Sequence, residues 1–268
     1  MDFLKRTVTA VVLLGAVFLV VQYAPHWVFF GLAQAIIVAA LLEFYTLAGR
    51  KDLHPRKVLG IGLTLVVSLP FVFRAVPVEA ALFAVLLASS VYYVVTTNSV
   101  EKLGRFPASF SVTVIGALYV GFTLNFLYRI RLESGPFLLY FLFAVVFLGD
   151  SGAYFIGKPF GRHKMTPVAS PNKSWEGSAG GFLFALAGAA LARWVLGLDV
   201  PLGTALLTAV VVHASAQVSD PMESLFKRAA GVKDSSNALP GHGGFFDRID
   251  SLILAGPLFY FIVKHLWR

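Results

Sequence analysis

Long apolar stretches alternate with short polar segments along almost the whole chain, and this pattern predicts membrane-spanning helices. Charged residues, prolines and glycines divide the chain into apolar stretches of about 20 residues, the length that a helix needs to cross a bilayer. We place nine helices near residues 7–23, 27–48, 57–77, 78–96, 107–127, 136–157, 177–198, 202–226 and 246–266. The predicted fold is an all-α, polytopic integral membrane protein with about nine transmembrane helices.

The composition agrees with this fold and excludes other classes. Hydrophobic residues make up 57% of the chain and charged residues 13%, with a mean hydropathy of +0.78, which is outside the range of soluble globular domains. The absence of cysteine excludes disulfides, cysteine-ligated metal centres and thiol catalysis. The net charge of +8 fits the basic bias of cytoplasmic loops, so we expect no nucleic-acid partner.

The basic residues also predict the orientation. Sixteen of the 22 lysines and arginines fall on one side of the predicted helices and six on the other. The positive-inside rule then places the N-terminus and the polar loops in the cytoplasm, which corresponds to a multi-pass protein of the cell inner membrane. Lys5 and Arg6 precede an apolar stretch without a small-residue cleavage site, so we expect a retained first helix rather than a signal peptide.

Chemistry is concentrated in the second half of the chain. A boundary near residue 135 separates N-terminal transmembrane helices, 1–135, from a C-terminal region, 136–268, that carries polar groups and that we expect to be catalytic. Within the predicted helix 202–226, polar residues recur at spacings of four, three, four and three: His213, Gln217, Asp220, Ser224 and Lys227. They form a stripe roughly 80° wide, which should face protein or water.

Carboxylates near the ends of predicted spans point to phosphate chemistry. An unpaired charge inside a bilayer costs at least about 2.5 kcal/mol, so such residues need partners. Asp220 and Asp247 can approach each other near one membrane face, and Asp150 can join them. Hard carboxylate oxygens beside a glycine-rich loop suit magnesium bound to nucleotide phosphates. The residues alone therefore predict metal-dependent phosphate chemistry at the cytoplasmic face.

The run from Ser224 to Asp250 resembles the signature of the CDP-diacylglycerol synthases, also called phosphatidate cytidylyltransferases. Eleven positions carry the resemblance: Ser224, Lys227, Arg228, Lys233, Asp234, His242, Gly243, Gly244, Asp247, Arg248 and Asp250. A second block, residues 149–181, resembles another cytoplasmic segment of that family, whereas the N-terminal half matches only in being hydrophobic. The resemblance implies that CTP and phosphatidic acid give CDP-diacylglycerol and pyrophosphate, in phospholipid biosynthesis and with a divalent metal such as Mg²⁺. It is also consistent with a homodimer.

Roles for individual residues follow from this resemblance. As metal ligands we expect Asp220 and Asp247, with Asp150 and Asp250 as further candidates. Expected to act in catalysis besides the two aspartates are Lys233, His242 and Arg248. Expected to bind substrate are Lys173, Ser224, Lys227, Arg228, Asp234, Gly243 and Gly244.

Plainer interpretations exist for several of these residues and for the function. Lys227 and Arg228 alone could be a positive-inside flank, and Ser174 could simply cap a helix. Glu43 is expected to snorkel to the membrane surface or to pair with Arg50 or Lys51 rather than to act in catalysis, while the roles of Glu176 and Glu223 stay open. Intramembrane carboxylates also occur in secondary transporters, and a lipid kinase that uses CTP would share the same metal and basic groups.

Overall fold

The computed structural model describes residues 15–239 and 243–267. Ten α-helices, one π-helical segment and one β-hairpin make up this part of the chain. They are α1 (15–23), α2 (His26–Gly49), α3 (Lys57–Val72), α4 (Val78–Thr96), α5 (Val100–Gly116), a π-helical segment (Ala117–Phe122), α6 (Thr123–Ser134), α7 (Pro136–Phe160), β1 (Lys164–Thr166), β2 (Ser170–Ser174), α8 (Trp175–Val195), α9 (Leu202–Ala229) and α10 (Phe246–Leu266).

Seven helices in the described part of the chain are long and apolar enough to cross a membrane. They are α2, α4, the continuous helix Val100–Ser134 formed by α5, the π-helical segment and α6, and then α7, α8, α9 and α10. Helix α3 has 16 residues and is shorter, and most of the predicted helix 7–23 lies outside the described residues. The all-α, polytopic membrane fold is thus confirmed. The antiparallel β1–β2 hairpin between α7 and α8 was not predicted.

The chain divides into two compact units whose segments are not contiguous in sequence. Unit 1 consists mainly of Trp27–Tyr128 and Phe226–Arg248. Unit 2 consists of Val17–His26, Arg129–Leu225 and Ile249–Arg268. The C-terminal motif contributes residues to both units, and the division by chemistry near residue 135 stays a prediction.

In unit 1, α2 is fixed by close helix contacts. Tyr45 is fully buried, and its hydroxyl donates a 2.6 Å hydrogen bond to the Thr113 carbonyl. Its ring occupies the space that a Cβ would need at Gly60 and Gly116, so only glycine allows α3 and α5 to approach this closely. This packing fixes the C-terminal end of α2, and with it the neighbouring Glu43.

In unit 2, glycines bring α7 and α8 together. A Cβ at Gly177 would meet the backbone of Ala153 and Gly157, and a Cβ at Gly188 would meet the Ala144 carbonyl. Small residues of this kind let helix backbones approach closely in membrane proteins. Helix α8 begins at its cap, Ser174, whose hydroxyl accepts a 3.1 Å hydrogen bond from the Gly177 amide, as the capping interpretation expects.

Candidate active site

A polar cavity of about 240 Å³ lies within unit 2. Helix α7 contributes Asp150, β2 contributes Lys173, and α9 contributes Asp220. The remainder of the wall includes Asn172, Ser174, Ser178 and Gln217 together with Ala153, Tyr154, Met165 and Gly177. Two predicted metal ligands and one predicted phosphate-binding lysine therefore share one cavity, although their positions in the sequence are 70 residues apart.

Lys173 and Asp220 form an ion pair across this cavity. The Lys173 Nζ lies 2.7 Å from Asp220 Oδ2, and the two side chains are 26% and 31% exposed. Both groups can thus be reached by a ligand that enters the cavity. The stripe predicted on α9 accounts for the direction of Asp220, since His213 and Ser224 on the same stripe are buried and Asp220 lines the cavity.

Asp150 has a different partner. Its Oδ2 accepts a 3.1 Å hydrogen bond from the hydroxyl of Ser251 in α10, and the Ser251 amide donates to Asp250 Oδ1 at 2.7 Å. Ser219 on α9 donates to the backbone carbonyl of Asp250. The start of α10 is thereby tied to α7 and α9 within unit 2, and Asp250 takes part in this attachment.

Gln217 connects the cavity wall to a buried histidine. Its amide oxygen accepts a 2.5 Å bond from Ser178 Oγ, and its amide nitrogen donates to the Ser178 carbonyl at 3.1 Å and lies 2.9 Å from His213 Nε2. Because the side-chain nitrogen of Gln217 can only donate, His213 Nε2 must be the acceptor of this hydrogen bond. His213 fills the space beside Gly149 and Gly181, so it packs between helices as an interhelical polar residue.

The donors around the cavity suit a hard cation. Carboxylates, amides and hydroxyls line it together with the Met165 thioether, which is a weak ligand for a hard cation. Magnesium is commonly held by one or two carboxylates and substrate phosphates rather than by a complete protein cage. Within residues 15–239 and 243–267 no group of three or more histidine, aspartate or glutamate side chains is arranged to hold a metal by itself. Asp150 and Asp220 supply the two carboxylates that are sufficient when substrate phosphates complete the coordination.

Asp247, the other predicted metal ligand, lies in a closed polar cluster of unit 1. Its Oδ1 is 2.7 Å from Lys227 Nζ, and the two side chains are only 4% and 11% exposed. Its Oδ2 accepts from the Ser235 amide at 2.9 Å, the Ser235 hydroxyl at 2.8 Å and the Gly244 amide at 2.7 Å. Lys227 and Gly244 were predicted to contact substrate, and here they surround Asp247.

Glu43 joins the same cluster, and its expected pairing with Arg50 or Lys51 is not the arrangement found. Its carboxylate accepts hydrogen bonds from the hydroxyls of Ser235 and Ser236 and from the amides of Phe245 and Phe246. The side chain is buried. This role of Glu43 was not predicted, because its partners lie about 190 to 200 positions away in the sequence. A carboxylate inside an apolar helix was the available signal.

The remaining predicted site residues differ in their exposure to solvent. Ser224 is buried. Exposed at the surface of unit 1 are Arg228, Lys233, Asp234 and Arg248. Gly243 has a φ of +78°, a backbone conformation that favours glycine, and accepts a hydrogen bond from the Leu239 amide through its carbonyl. His242 lies outside the described residues.

Glu176 has a local structural role in unit 2. It lies in the first turn of α8 and accepts hydrogen bonds from the backbone amides of Arg162 and His163. Its Oε1 is 2.5 Å from His163 Nδ1. Glu176 therefore closes the loop between α7 and β1, next to the strand that presents Lys173. Glu223 is fully buried on α9.

Comparison with known proteins assigns this chain to a family. The model of the family described as "Cytidylyltransferase family" matches residues 4–266. A phosphatidate cytidylyltransferase of Staphylococcus saprophyticus is 33% identical over 94% of this chain and 96% of its own length. That of Staphylococcus aureus strain COL is 34% identical over the same shares. That of Bacillus subtilis strain 168 is 39% identical over 69% of this chain and 67% of its own length. The chain belongs to the cytidylyltransferase family.

Proposed function

We propose that this protein is a metal-dependent phosphatidate cytidylyltransferase, which converts CTP and phosphatidic acid into CDP-diacylglycerol and pyrophosphate. The family match over nearly the whole chain supports the reaction. The observation that carries the site is the unit 2 cavity, where Asp150, Asp220 and Lys173 meet in a membrane protein. Its volume of about 240 Å³ suits phosphate groups rather than a whole nucleotide.

The chemistry requires no side-chain nucleophile. A phosphate monoester has a second pKa of about 6, so the phosphatidate oxygen reaches the site already anionic near pH 7. This oxygen attacks the α-phosphorus of CTP, the bond between that phosphorus and the bridging oxygen breaks, and pyrophosphate leaves with the bond electrons. The protein must align the two phosphates and balance their negative charge.

Lys173 is suited to that task. Its ammonium group is partly exposed and lies against Asp220, so it can move to an incoming phosphate oxygen over a short distance. Asn172 and Ser178 add neutral hydrogen-bonding groups to the same wall. Lys227, Lys233, Arg228 and Arg248 stay predicted contacts of the triphosphate or the lipid headgroup, and His242 stays a predicted acid for the leaving pyrophosphate.

Asp150 and Asp220 fit a divalent cation by the chemistry of the donor set described above. Bound there, Mg²⁺ would neutralise phosphate charge and polarise the phosphoryl group under attack. Asp247 and Asp250 stay predicted ligands, to be tested by substitution.

Position-specific labelling tests the reaction. Purified protein should transfer label from α-labelled CTP to phosphatidate and release pyrophosphate. Transfer of γ-label with release of CDP would instead identify a lipid kinase that uses similar metal and basic groups. If neither label reaches the lipid and an ion gradient drives solute uptake into liposomes, the transporter alternative replaces this proposal.

We place the site at the cytoplasmic face of the inner membrane. The basic-residue asymmetry supports this orientation, and the absence of native cysteine allows single thiol probes. Cysteines at the exposed positions Lys102 and Lys164 should be shielded from an impermeant reagent in intact cells, whereas one at Asp199 should react. The reverse pattern would contradict the orientation. The homodimer suggested by the family resemblance is testable by mass measurement in detergent.

A further inference from the structure

Glu43 binds two short stretches of the C-terminal motif region, residues 235–236 and residues 245–246. Ser235 and Ser236, in the first stretch, donate to the Glu43 carboxylate at 2.9 and 2.6 Å. Phe245 and Phe246, in the second stretch, donate their backbone amides at 3.1 and 2.8 Å. We refer to Glu43 and these four residues as the Glu43 clamp, all of which lie in unit 1.

The clamp acts directly beside Asp247. Ser235 stands between the two carboxylates, with its hydroxyl 2.9 Å from Glu43 Oε2 and 2.8 Å from Asp247 Oδ2. That hydroxyl has one proton, so it can donate to only one of the two oxygens at a time. Phe246 precedes Asp247 in the chain, so the bond from its amide to Glu43 fixes the backbone from which the Asp247 side chain projects.

Packing around the clamp limits its movement. Phe44, next to Glu43, places its ring 5.0 Å from that of Phe226 and 5.9 Å from that of Phe246. A Cβ at Gly244 would meet the Ser235 hydroxyl and Glu43 Oε2, so the backbone at this position can approach Glu43 this closely only with glycine. The start of α10 is thus held to α2 by both polar and aromatic contacts.

General stability is a poor explanation for a buried carboxylate here. Replacing buried ionic groups by apolar residues of similar volume is often neutral or stabilising, and a charge within an apolar span is costly. The donors directed at Glu43 satisfy its carboxylate, and in doing so they fix two short stretches of the chain, residues 235–236 and residues 245–246. Lys233 and Asp234 precede the first stretch, Gly244 precedes the second, and Arg248 follows it.

We propose that Glu43 is a positioning residue for cytidylyl transfer, which holds residues 235–236, residues 245–246 and the adjoining Asp247 in the geometry that the reaction uses. The catalytic role of Glu43 rests on the proposed function, whereas the existence of the clamp rests only on the contacts described above. Glu43 acts through these residues, and no contact of its own with substrate is implied. A residue of the first half of the chain thereby sets the geometry of the motif at the other end.

A nitroxide probe on an introduced cysteine at exposed Asn237 tests the clamp without measuring turnover. Glu43→Gln replaces one acceptor oxygen by an amide that only donates, so at least one of the four bonds is lost. The spin label should then become more mobile in the full-length protein. The matched control is Glu101→Gln, which removes the same charge from an exposed ion pair with Arg105 in unit 1 and should leave the mobility unchanged.

Turnover is measured on the same variants without the probe and normalised to folded protein. Glu43→Gln should lower kcat/KM for CTP by about 100-fold, the scale of a small misplacement of reacting groups, mainly through kcat. Ser236→Ala removes one donor and should cause a smaller loss of the same kind. In the double variant the two losses should fail to multiply, because both act on one interaction.

The possible results distinguish a failure of the clamp from a failure of the proposed function. Unchanged probe mobility in folded Glu43→Gln would overturn the clamp. Increased mobility with normal kcat/KM would overturn the positioning role. Should Glu43→Gln fail to fold, Ser236→Ala carries the same two readouts, with the same consequences. If the unmodified protein transfers no cytidylyl group, the proposed function fails and with it the positioning role, while probe mobility still decides whether the clamp exists.

Discussion

The two lysine–aspartate pairs of this protein have the same 2.7 Å separation but opposite environments. Lys173 and Asp220, in unit 2, are about one quarter to one third exposed and line an open cavity. Lys227 and Asp247, in unit 1, are nearly inaccessible, and both Asp247 oxygens are engaged. Contact distance alone therefore does not reveal what an ion pair does.

Accessibility and the number of additional donors distinguish the two pairs. A partly exposed pair contributes little to stability and can exchange its partner for a ligand. A buried pair leaves an uncompensated charge when one member is removed, and this costs several kcal/mol. We therefore expect unit 2 to respond to substitution mainly in catalysis, and unit 1 to respond in both catalysis and stability.

The largest effect on activity is expected for Asp220→Asn. A neutral amide is a poor replacement for a charged magnesium ligand, so turnover should fall by at least about 100-fold. The melting temperature in detergent should change little, since the pair with Lys173 is partly exposed. Asp199→Asn removes the same charge from an exposed loop of unit 2 and serves as the control. Near-normal turnover of Asp220→Asn at saturating magnesium would exclude the assignment.

Asp247→Asn should reduce activity and stability together. Lys227 would keep its charge in a buried position, and the loss of a buried partner typically costs about 3 to 5 kcal/mol. Adding Lys227→Met should recover most of the melting temperature without restoring turnover. A melting temperature equal to that of Asp220→Asn would contradict the contrast drawn between the two pairs, and recovery of turnover in the double variant would contradict a chemical role for Asp247.

A smaller effect is expected for Gly244→Ala. The added methyl group would collide with Ser235 and Glu43, and overpacking of this kind costs roughly 1 to 3 kcal/mol. Gly104→Ala, at a helical position of unit 1 with open space around it, is the control and should be neutral or slightly stabilising. Equal melting temperatures for the two variants would show that the chain around Gly244 accommodates the methyl group without loss of stability, and would contradict this prediction.

The sequence predicted the fold class and most helix positions because bilayer crossing imposes a strong length and hydropathy requirement. Helix α10 coincides with its predicted range, 246–266. The third predicted helix, 57–77, ends earlier, at Val72. The β1–β2 hairpin was missed because its residues, including Pro171 and Asn172, lack the alternating apolar pattern typical of strands.

The sequence by itself determined the membrane class, the inward-facing stripe on α9 and the motif that indicates cytidylyl transfer, because periodicity and local spacing are written along the chain. Only the tertiary structure decided which side chains meet. It placed Lys173 on Asp220, Ser251 on Asp150, and Glu43 on Ser235 and Phe246. Contacts between residues 47 to 203 positions apart depend on how whole helices pack, and helical periodicity specifies a face but not the partner it will meet.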